Sequence, residues 1–414
     1  MSTSTTTPTA KKNPAVAALA RSAARDKVLL AIAAPALAIV AAIVISSLVF
    51  LASGENPFRA YGIMADYGHY SDSQVWIINK AVPYYLSALA VAIGFRMNLF
   101  NIGVDGQYRL AAFAAAAVGG AIALPGALQI ILLIVIAMLV GAIWSGIAGL
   151  LKTTRGVSEV ITTIMLNSIA ASVIGYFLQD GRLAIKDGNL LHTKFLPESS
   201  HFFAFSTHPK PVEGFVVVAV LAGALYWFLI NRTRFGFDLR AVGASEPAAE
   251  ASGVSVKRMI VISMLLSGAA AGLVGMPTLL GESFQYGTDF PAGIGFTGIA
   301  IALLGRNHPA GMAFGALLWA FLDRTGSRLE FEGYAQEIVG VIQGVIVLCV
   351  VIAYEVVRRY GLRLQQRKVG EELAALARTG DGAGSTGSTG NAGSTGSTGN
   401  TDSADNSDKP EVTA

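Results

Sequence analysis

The residues best placed to do chemistry lie in one stretch, Gly94-Phe95-Arg96-Met97-Asn98-Leu99-Phe100-Asn101-Ile102-Gly103-Val104-Asp105-Gly106-Gln107-Tyr108. Asn98, Asn101 and Gln107 bring amide donors and acceptors, Asp105 brings a carboxylate, and Gly94, Gly103 and Gly106 let the backbone turn. These are groups for holding something by hydrogen bonds: a polar solute, an ion, or the backbone of a broken helix. Apolar runs flank the stretch on both sides, and polar groups carried into hydrocarbon must face a cavity, a partner or water. Two readings stand side by side, a polar path or hinge near residues 96–110 and an ordinary cytoplasmic loop between two spans. Asn167 lies deeper than the other polar residues, on an apolar segment of its own. It suits either a place on a pathway or a hydrogen bond to a neighbouring helix, the second being the commoner use.

Bond-making chemistry finds no footing. There is no phosphate-cradling Gly-Lys-Ser/Thr loop, and Gly305-Arg306-Asn307-His308-Pro309 lacks that geometry. Arg155-Gly156-Val157-Ser158-Glu159 lacks the second glycine of a hydrolase elbow. His192, His201 and His208 match no metal-ligand spacing and read as solvated loop residues. Cys349, the single cysteine, excludes an intrachain disulfide. No catalytic residue and no metal ligand is therefore assigned. A net charge of +3, dispersed along the chain, gives no case for nucleic acid.

The elements that position these groups are membrane spans. Of 414 residues 53% are hydrophobic and only 14% charged, where a soluble domain carries about a quarter. At about twenty apolar residues per span, the candidates are 28–52, 76–95, 108–124, 127–151, 159–178, 213–230, 259–280, 293–305, 309–322 and 336–356. The fold class is an all-α polytopic membrane protein of about ten segments, with eight or nine as alternatives. The pair 293–305 and 309–322 is short and Gly-rich enough for two half-helices or one re-entrant hairpin. Ten segments with both termini cytoplasmic place most Lys and Arg inside. The domains are a polar, basic cytoplasmic N-terminus (1–27), a transmembrane domain (28–360) and a cytoplasmic tail (361–414) of low complexity and disordered from about 379. The run 28–52 is too long for a signal core and reads as an uncleaved span. The outer segments are 53–74 and 179–212, the latter long enough for a cap or docking surface.

An ion-coupled carrier needs carboxylates buried mid-span. Glu159, Asp323 and Glu337 fall at predicted span ends, and Lys80 lies close enough to an outer boundary to snorkel. The energy source is then a partner rather than an ion gradient. The inner segment 231–258 fits such a partner. Ser245 caps a short helix, Pro247 sits in its first turn, Ala248, Ala249 and Ala251 give it a small-residue face, and Gly253 ends it. The residues themselves leave two readings open, a helix in a partner's groove and a helix on lipid headgroups anchored by Arg232, Arg234 and Arg240.

Four stretches carry a resemblance. Phe100-Asn-Ile-Gly-Val-Asp-Gly-Gln107, Ser158-Glu-Val-Ile-Thr-Thr-Ile-Met-Leu-Asn167, Gly305-Arg-Asn-His-Pro-Ala-Gly311 and Arg240-Ala-Val-Gly-Ala-Ser-Glu-Pro-Ala-Ala249 resemble segments of permease subunits of binding-protein-dependent ABC importers. The branch is that of simple sugars, branched-chain amino acids and nucleosides, with the nucleoside type most similar. The likeness spans about residues 28–360. Asp105 stands where Glu is usual, and Glu246 where Asn is common.

The resemblance implies a non-catalytic permease of a bacterial cell membrane that carries nucleosides, or in the alternative simple sugars. An ion-coupled transporter is the remaining alternative. It implies no cofactor on this chain, with ATP and Mg on partner ATPase subunits. The implied partners are those ATPases, a second and different permease chain, an extracytoplasmic solute-binding lipoprotein and membrane lipid. It turns Gly243, Ala244, Glu246, Pro247, Ala248, Ala249 and Gly253 into an ATPase-coupling helix. It leaves Asn98, Asn101, Gly103, Asp105, Gly106, Gln107 and Asn167 as pathway or hinge residues.

Overall fold

The computed structural model describes residues 36–335 and 337–381. The chain forms two units, Met1–Arg358 and Arg359–Ala414. The expected N-terminal segment 1–27 and nearly all of the tail beyond 379 lie outside the described residues.

The first unit is a helical bundle. Helix α1 (Ala36–Ala52) turns by 115° into α2 (Pro57–His69). Asn56 caps α2, its side chain accepting from the amides of Phe58 and Arg59, with Pro57 at the first helical position. Helix α3 (Ser71–Phe95) is the axis of the bundle, buried continuously from Ala81 to Gly94. Around it stand α4 (Val104–Ala121), α5 (Ala127–Arg155), α6 (Glu159–Phe177) and α7 (Phe215–Arg232). Two short helices follow, α8 (Arg234–Ala244) and α9 (Glu246–Ala251). The set closes with α10 (Val256–Gly272), a π-helical turn at Thr278–Ser283, α11 (Ile294–Leu304), α12 (Pro309–Phe331) and, as far as Arg358, α13 (Glu337–Asp381).

Five described helices are long and apolar enough to cross a membrane: α3, α5, α6, α7 and the first part of α13; a sixth arises if α1 and α2 count as one. The remaining predicted spans correspond to α4, α10, α11 and α12, which are shorter or more polar and pack among the others. The chain is a polytopic, predominantly helical membrane protein.

Glycine sets the closest contact in the bundle. A Cβ on Gly268 would strike the carbonyl of Gly141, and one on Gly272 would strike that of Ala137. Gly268 and Gly272 stand one turn apart on α10, the small-xxx-small arrangement by which membrane helices bring their backbones together.

Several expectations change. The predicted span 259–280 ends at Gly272, because Pro277 has no amide to continue the ladder and a π-turn follows. The 309–322 segment is one unbroken helix to Phe331, so Asp323 lies inside α12 rather than at its end. There it accepts from the Tyr84 hydroxyl (2.5 Å) and from Gln343 Nε2 (2.6 Å), which makes a carboxylate tolerable within the bundle. The 53–74 segment is mostly α2 and the start of α3. The 179–212 segment holds two small antiparallel pairs, Ala184–Asp187 with Leu190–Thr193 and Ala204–Phe205 with Val212–Glu213. Two of its histidines, His201 and His208, are exposed as expected, and the third is not. His192 is buried with Nδ1 2.8 Å from the Thr193 carbonyl, and His201 stacks on Phe284. Among the described residues no group of three His, Cys, Asp or Glu is placed to hold a metal ion.

Candidate functional site

After α3 ends at Phe95, the chain turns at Asn98, whose φ is 56°, and climbs back into the bundle before α4 begins. Asn101 sits at the top of this climb, fully buried with all of its side-chain capacity engaged. Its Nδ2 donates to Gln107 Oε1 (3.0 Å) and Ser267 Oγ (2.8 Å), and its Oδ1 accepts from Gln107 Nε2 (2.8 Å) and the Gly103 amide (3.2 Å). Ser267 passes the chain on to the Ala90 carbonyl (2.7 Å), and Ser145 lies 3.5 Å from Asn101 Nδ2. One buried side chain thus joins α3, α4, α5 and α10. A Cβ at Gly103 would come within 2.8 Å of Gln107 Nε2, so only glycine leaves the amide room there.

Asn167 completes the hub from α6. Its Oδ1 accepts from the Gly106 amide (2.9 Å) and its Nδ2 donates to the Ile102 carbonyl (3.0 Å), so one amide holds both flanks of the break. Gly106 lies within 2.8 Å of Asn167 Cα by the position a Cβ would take. The helix start that carries these residues would otherwise expose orphan donors in hydrocarbon.

The depth of the hub differs from the sequence expectation of a turn near one end of the spans. Measured from Arg155, Glu159 and Val256, the helix ends on the side of α8 and α9, Ser145, Asn167 and Ser267 lie about 12–16 Å along their helices, at about 1.5 Å per residue. That is about halfway through a hydrocarbon core of about 30 Å. Helix α4 therefore starts in the middle of the bundle, because the polar residues that precede it are satisfied there and not in solvent.

Asp105 serves the same break from the other side. Its Oδ1 accepts from the amides of Gly293 (2.7 Å) and Gly295 (3.3 Å), capping α11, a half-length helix that also begins mid-bundle. A carboxylate at a helix N-terminus answers both the free amides and the positive end of the dipole. Four residues on, Arg109 Nη1 lies 4.0 Å from Asp105 Oδ2, a long ion pair. Arg109 and the buried Tyr286 hydroxyl face each other beside this pair. Sequence reading passed over Arg109. The signal was its i, i+4 spacing from Asp105 inside an apolar run.

From the hub the chain leads to one end of the bundle. Asn98 Nδ2 donates to the Gly243 carbonyl (2.8 Å), the penultimate residue of α8. A Cβ on Gly243 would collide with the Arg96 carbonyl, so α8 lies directly on the turn. Arg96 reaches the other way, Nη2 donating to the Asn307 carbonyl (2.7 Å) and Nε to the Tyr226 hydroxyl (3.3 Å). Asn307 and Arg306 both have positive φ in the α11–α12 turn. Glu159 accepts from the Phe100 amide (3.4 Å) and pairs with Lys152 at 2.5 Å. The turn is thus fastened to α6, α7, α8 and the α11–α12 turn, and through Glu159 to α5.

The 231–258 segment has more structure than one short helix. Thr233 caps α8, accepting from the Gly236 amide (3.1 Å), and Ser245 separates α8 from α9 and caps it through the Ala248 amide (3.4 Å). Pro247 occupies the first turn of α9, and Gly253 follows it at φ 84°. Ala244, Glu246, Pro247, Ala248 and Ala251 are exposed, whereas Ala249 is 2% exposed and faces the bundle. The free small-residue face therefore runs through Ala248 and Ala251, not Ala249.

The family described as branched-chain amino acid transport system / permease component matches residues 74–351. The chain is 35% identical over 337 residues to the guanosine ABC transporter permease protein NupP of Bacillus subtilis, covering 78% of this chain and 93% of that protein. It is 31% identical over 372 residues to the glucose ABC transporter permease protein TsgB13 of Haloferax volcanii, covering 85% and 95%. It is 30% identical over 338 residues to the nucleoside ABC transporter permease protein NupB of Lactococcus lactis, covering 77% and 90%. No solved structure matches it.

Proposed function

Since this chain belongs to the family of branched-chain amino acid transport system permease components, we propose that it forms the membrane pathway of an ABC importer for nucleosides in a bacterial cell membrane. Separate ATPase subunits dock on α9, a second permease chain completes the pathway, and a solute-binding lipoprotein delivers the nucleoside from outside. ATP and Mg belong to the ATPases. The end of the bundle that carries α8 and α9 is the cytoplasmic one, in keeping with the Lys and Arg gathered there.

The observation that carries the reading is the seat of Gly243 on the 96–98 turn, fastened by Asn98. A push on α9 passes to α8, from α8 to the turn, and through Phe100 and Asn101 to the mid-bundle break where α4 and α11 begin. Packed contacts of this kind move as units rather than deforming smoothly, which is what alternating access requires. Asp105, Asn101, Gln107 and Asn167, with Gly103 and Gly106, hold the hinge, since each spends its hydrogen bonds on backbone, on another member or, for Asn101, also on Ser267.

Asn98→Gly tests this. Glycine keeps the positive φ without strain and removes only the bond to Gly243. In proteoliposomes containing the whole transporter, ATP-driven uptake of labelled adenosine is expected to fall about two- to tenfold, the range for one hydrogen bond, while ATP turnover continues. Unchanged uptake refutes the linkage. A simple sugar is the second reading, supported by the likeness to the glucose permease. Uptake of glucose but not adenosine by the same vesicles would decide for it.

A further inference from the structure

At the opposite end of the bundle from the 96–103 turn, α3, the Ala204–Glu213 hairpin and the π-turn Thr278–Ser283 enclose a cleft of about 320 Å³. Its wall carries Lys210, which pairs with Asp72 at 3.6 Å, and three further charges, Lys80, Glu213 and Glu282. None of these three forms an ion pair within 4 Å among the described residues. Surface charges on a membrane protein normally pair or point to water, yet Glu213 is only partly exposed and lines the cleft beside Gly281.

Two features hold it there. Asn79 Oδ1 accepts from the Glu213 amide (3.0 Å) and its Nδ2 donates to the Pro211 carbonyl (3.1 Å), pinning the hairpin to α3. Gly281 clears the carboxylate's place, since a Cβ there would lie 3.0 Å from Glu213 Oε2. Lys80, whose ammonium also lies 5.8 Å from the Tyr84 ring centroid, supplies the donor. A fixed carboxylate with free lone pairs and a nearby ammonium is suited to a neutral solute that offers paired hydroxyls and a further oxygen. A carboxylate is the usual acceptor for ribose hydroxyls in nucleotide sites.

We propose that this cleft is a subsite for the vicinal hydroxyls of a sugar ring, with Glu213 accepting from the diol and Lys80 donating to a ring or hydroxyl oxygen. The inference rests on the importer reading, but it concerns the chemistry that a nucleoside's ribose and a free sugar share. Burial and the neighbouring Glu282 push Glu213 up to about 7, against the pull of Lys80. The carboxylate that accepts the diol is therefore fully ionised only above neutrality.

The test uses the full chain alone in lipid nanodiscs, so that the binding protein's selectivity does not enter. Saturation-transfer NMR reads binding of adenosine, D-ribose and 2′,3′-dideoxyadenosine to the wild type and to Glu213→Gln. Adenosine and ribose are expected to bind the wild type and dideoxyadenosine at least about tenfold more weakly, the worth of a hydrogen bond to a charged group. Glu213→Gln should weaken adenosine and ribose about tenfold and leave dideoxyadenosine unmoved. Its fold is checked by an unchanged thermal midpoint at pH 4, below the 4.5 of an ordinary glutamate, where Glu213 is protonated. Equal binding of diol and dideoxy probes, equal binding by the variant, or no binding of any probe overturns the subsite. Diol-dependent binding without ATP-driven uptake of adenosine by the whole transporter would instead count against the nucleoside reading and leave the subsite standing.

Discussion

Replacing Asn101 by Leu separates a hinge held by hydrogen bonds from one held by packing. Leucine is apolar and repeats the branched heavy-atom skeleton of asparagine, though its methyl groups are bulkier than the amide atoms they replace. The loss falls on Gln107, left with a buried acceptor and a buried donor, and on the Gly103 amide. At about 1–3 kcal/mol for each stranded group, with some relief from Ser145 nearby, Asn101→Leu should cost about 3–6 kcal/mol. Gln107→Leu strands less, because Asn101 keeps Ser267 and the Gly103 amide, and should cost about 1–3 kcal/mol. The double variant removes both partners of the Asn101–Gln107 pair at once. It strands only the Gly103 amide, at about 1–3 kcal/mol, so the single costs should exceed it in sum by about 3 kcal/mol or more. Reversible unfolding in mixed micelles, read by tryptophan fluorescence, gives all three values. Additivity of the single changes within about 0.3 kcal/mol would refute the reasoning, since the two amides would then stabilise the protein independently.

Other outcomes follow from the same geometry. Asp105→Ala strands the Gly293 and Gly295 amides and should cost about 2–4 kcal/mol, whereas Asp105→Asn keeps the acceptor and should recover about half, both read by the same unfolding assay. Gly268→Ala drives a methyl into the Gly141 carbonyl and should lower the thermal midpoint and abolish uptake, while Gly340→Ala, with open space around it, should change neither. Glu213 gives a pH signature. Its folded value of about 7 lies above the 4.5 of an ordinary glutamate. Its contribution to stability is therefore fully present below pH 4.5 and is lost as pH rises towards 7. Thermal midpoints taken from pH 4 to 8 should show the wild type losing ground to Glu213→Gln across that window and no further above it.

Much of this was legible from residue types. The polar stretch 94–108 stood out because amides and a carboxylate are costly between apolar runs. The cap Ser245 and the glycine at 253 follow from local backbone chemistry. What escaped was depth. Nothing in the order of residues says that the chain after Phe95 turns back into the bundle, because that depends on Ser145, Asn167 and Ser267, which come from three other helices. Asp323 was misplaced for a related reason. Its charge interrupts hydropathy, but Tyr84 and Gln343 from separate helices satisfy it, so the helix need not end. Ala249 was assigned to the wrong face because a short alanine run has no apolar contrast by which to set its phase. Arg109 was overlooked although its spacing from Asp105 was visible.

The most direct test asks whether α9 and the 96–103 turn move together. With Cys349→Ser as background, spin labels at Ala251→Cys and Phe314→Cys report the first element against α12, and labels at Phe100→Cys and Phe314→Cys report the second. Electron–electron distance measurements on the whole transporter, without nucleotide and trapped with ATP and vanadate, should show both distances shifting together. In Asn98→Gly the first should still shift and the second should not. A turn that stays fixed in the unmodified protein while α9 moves would contradict the account.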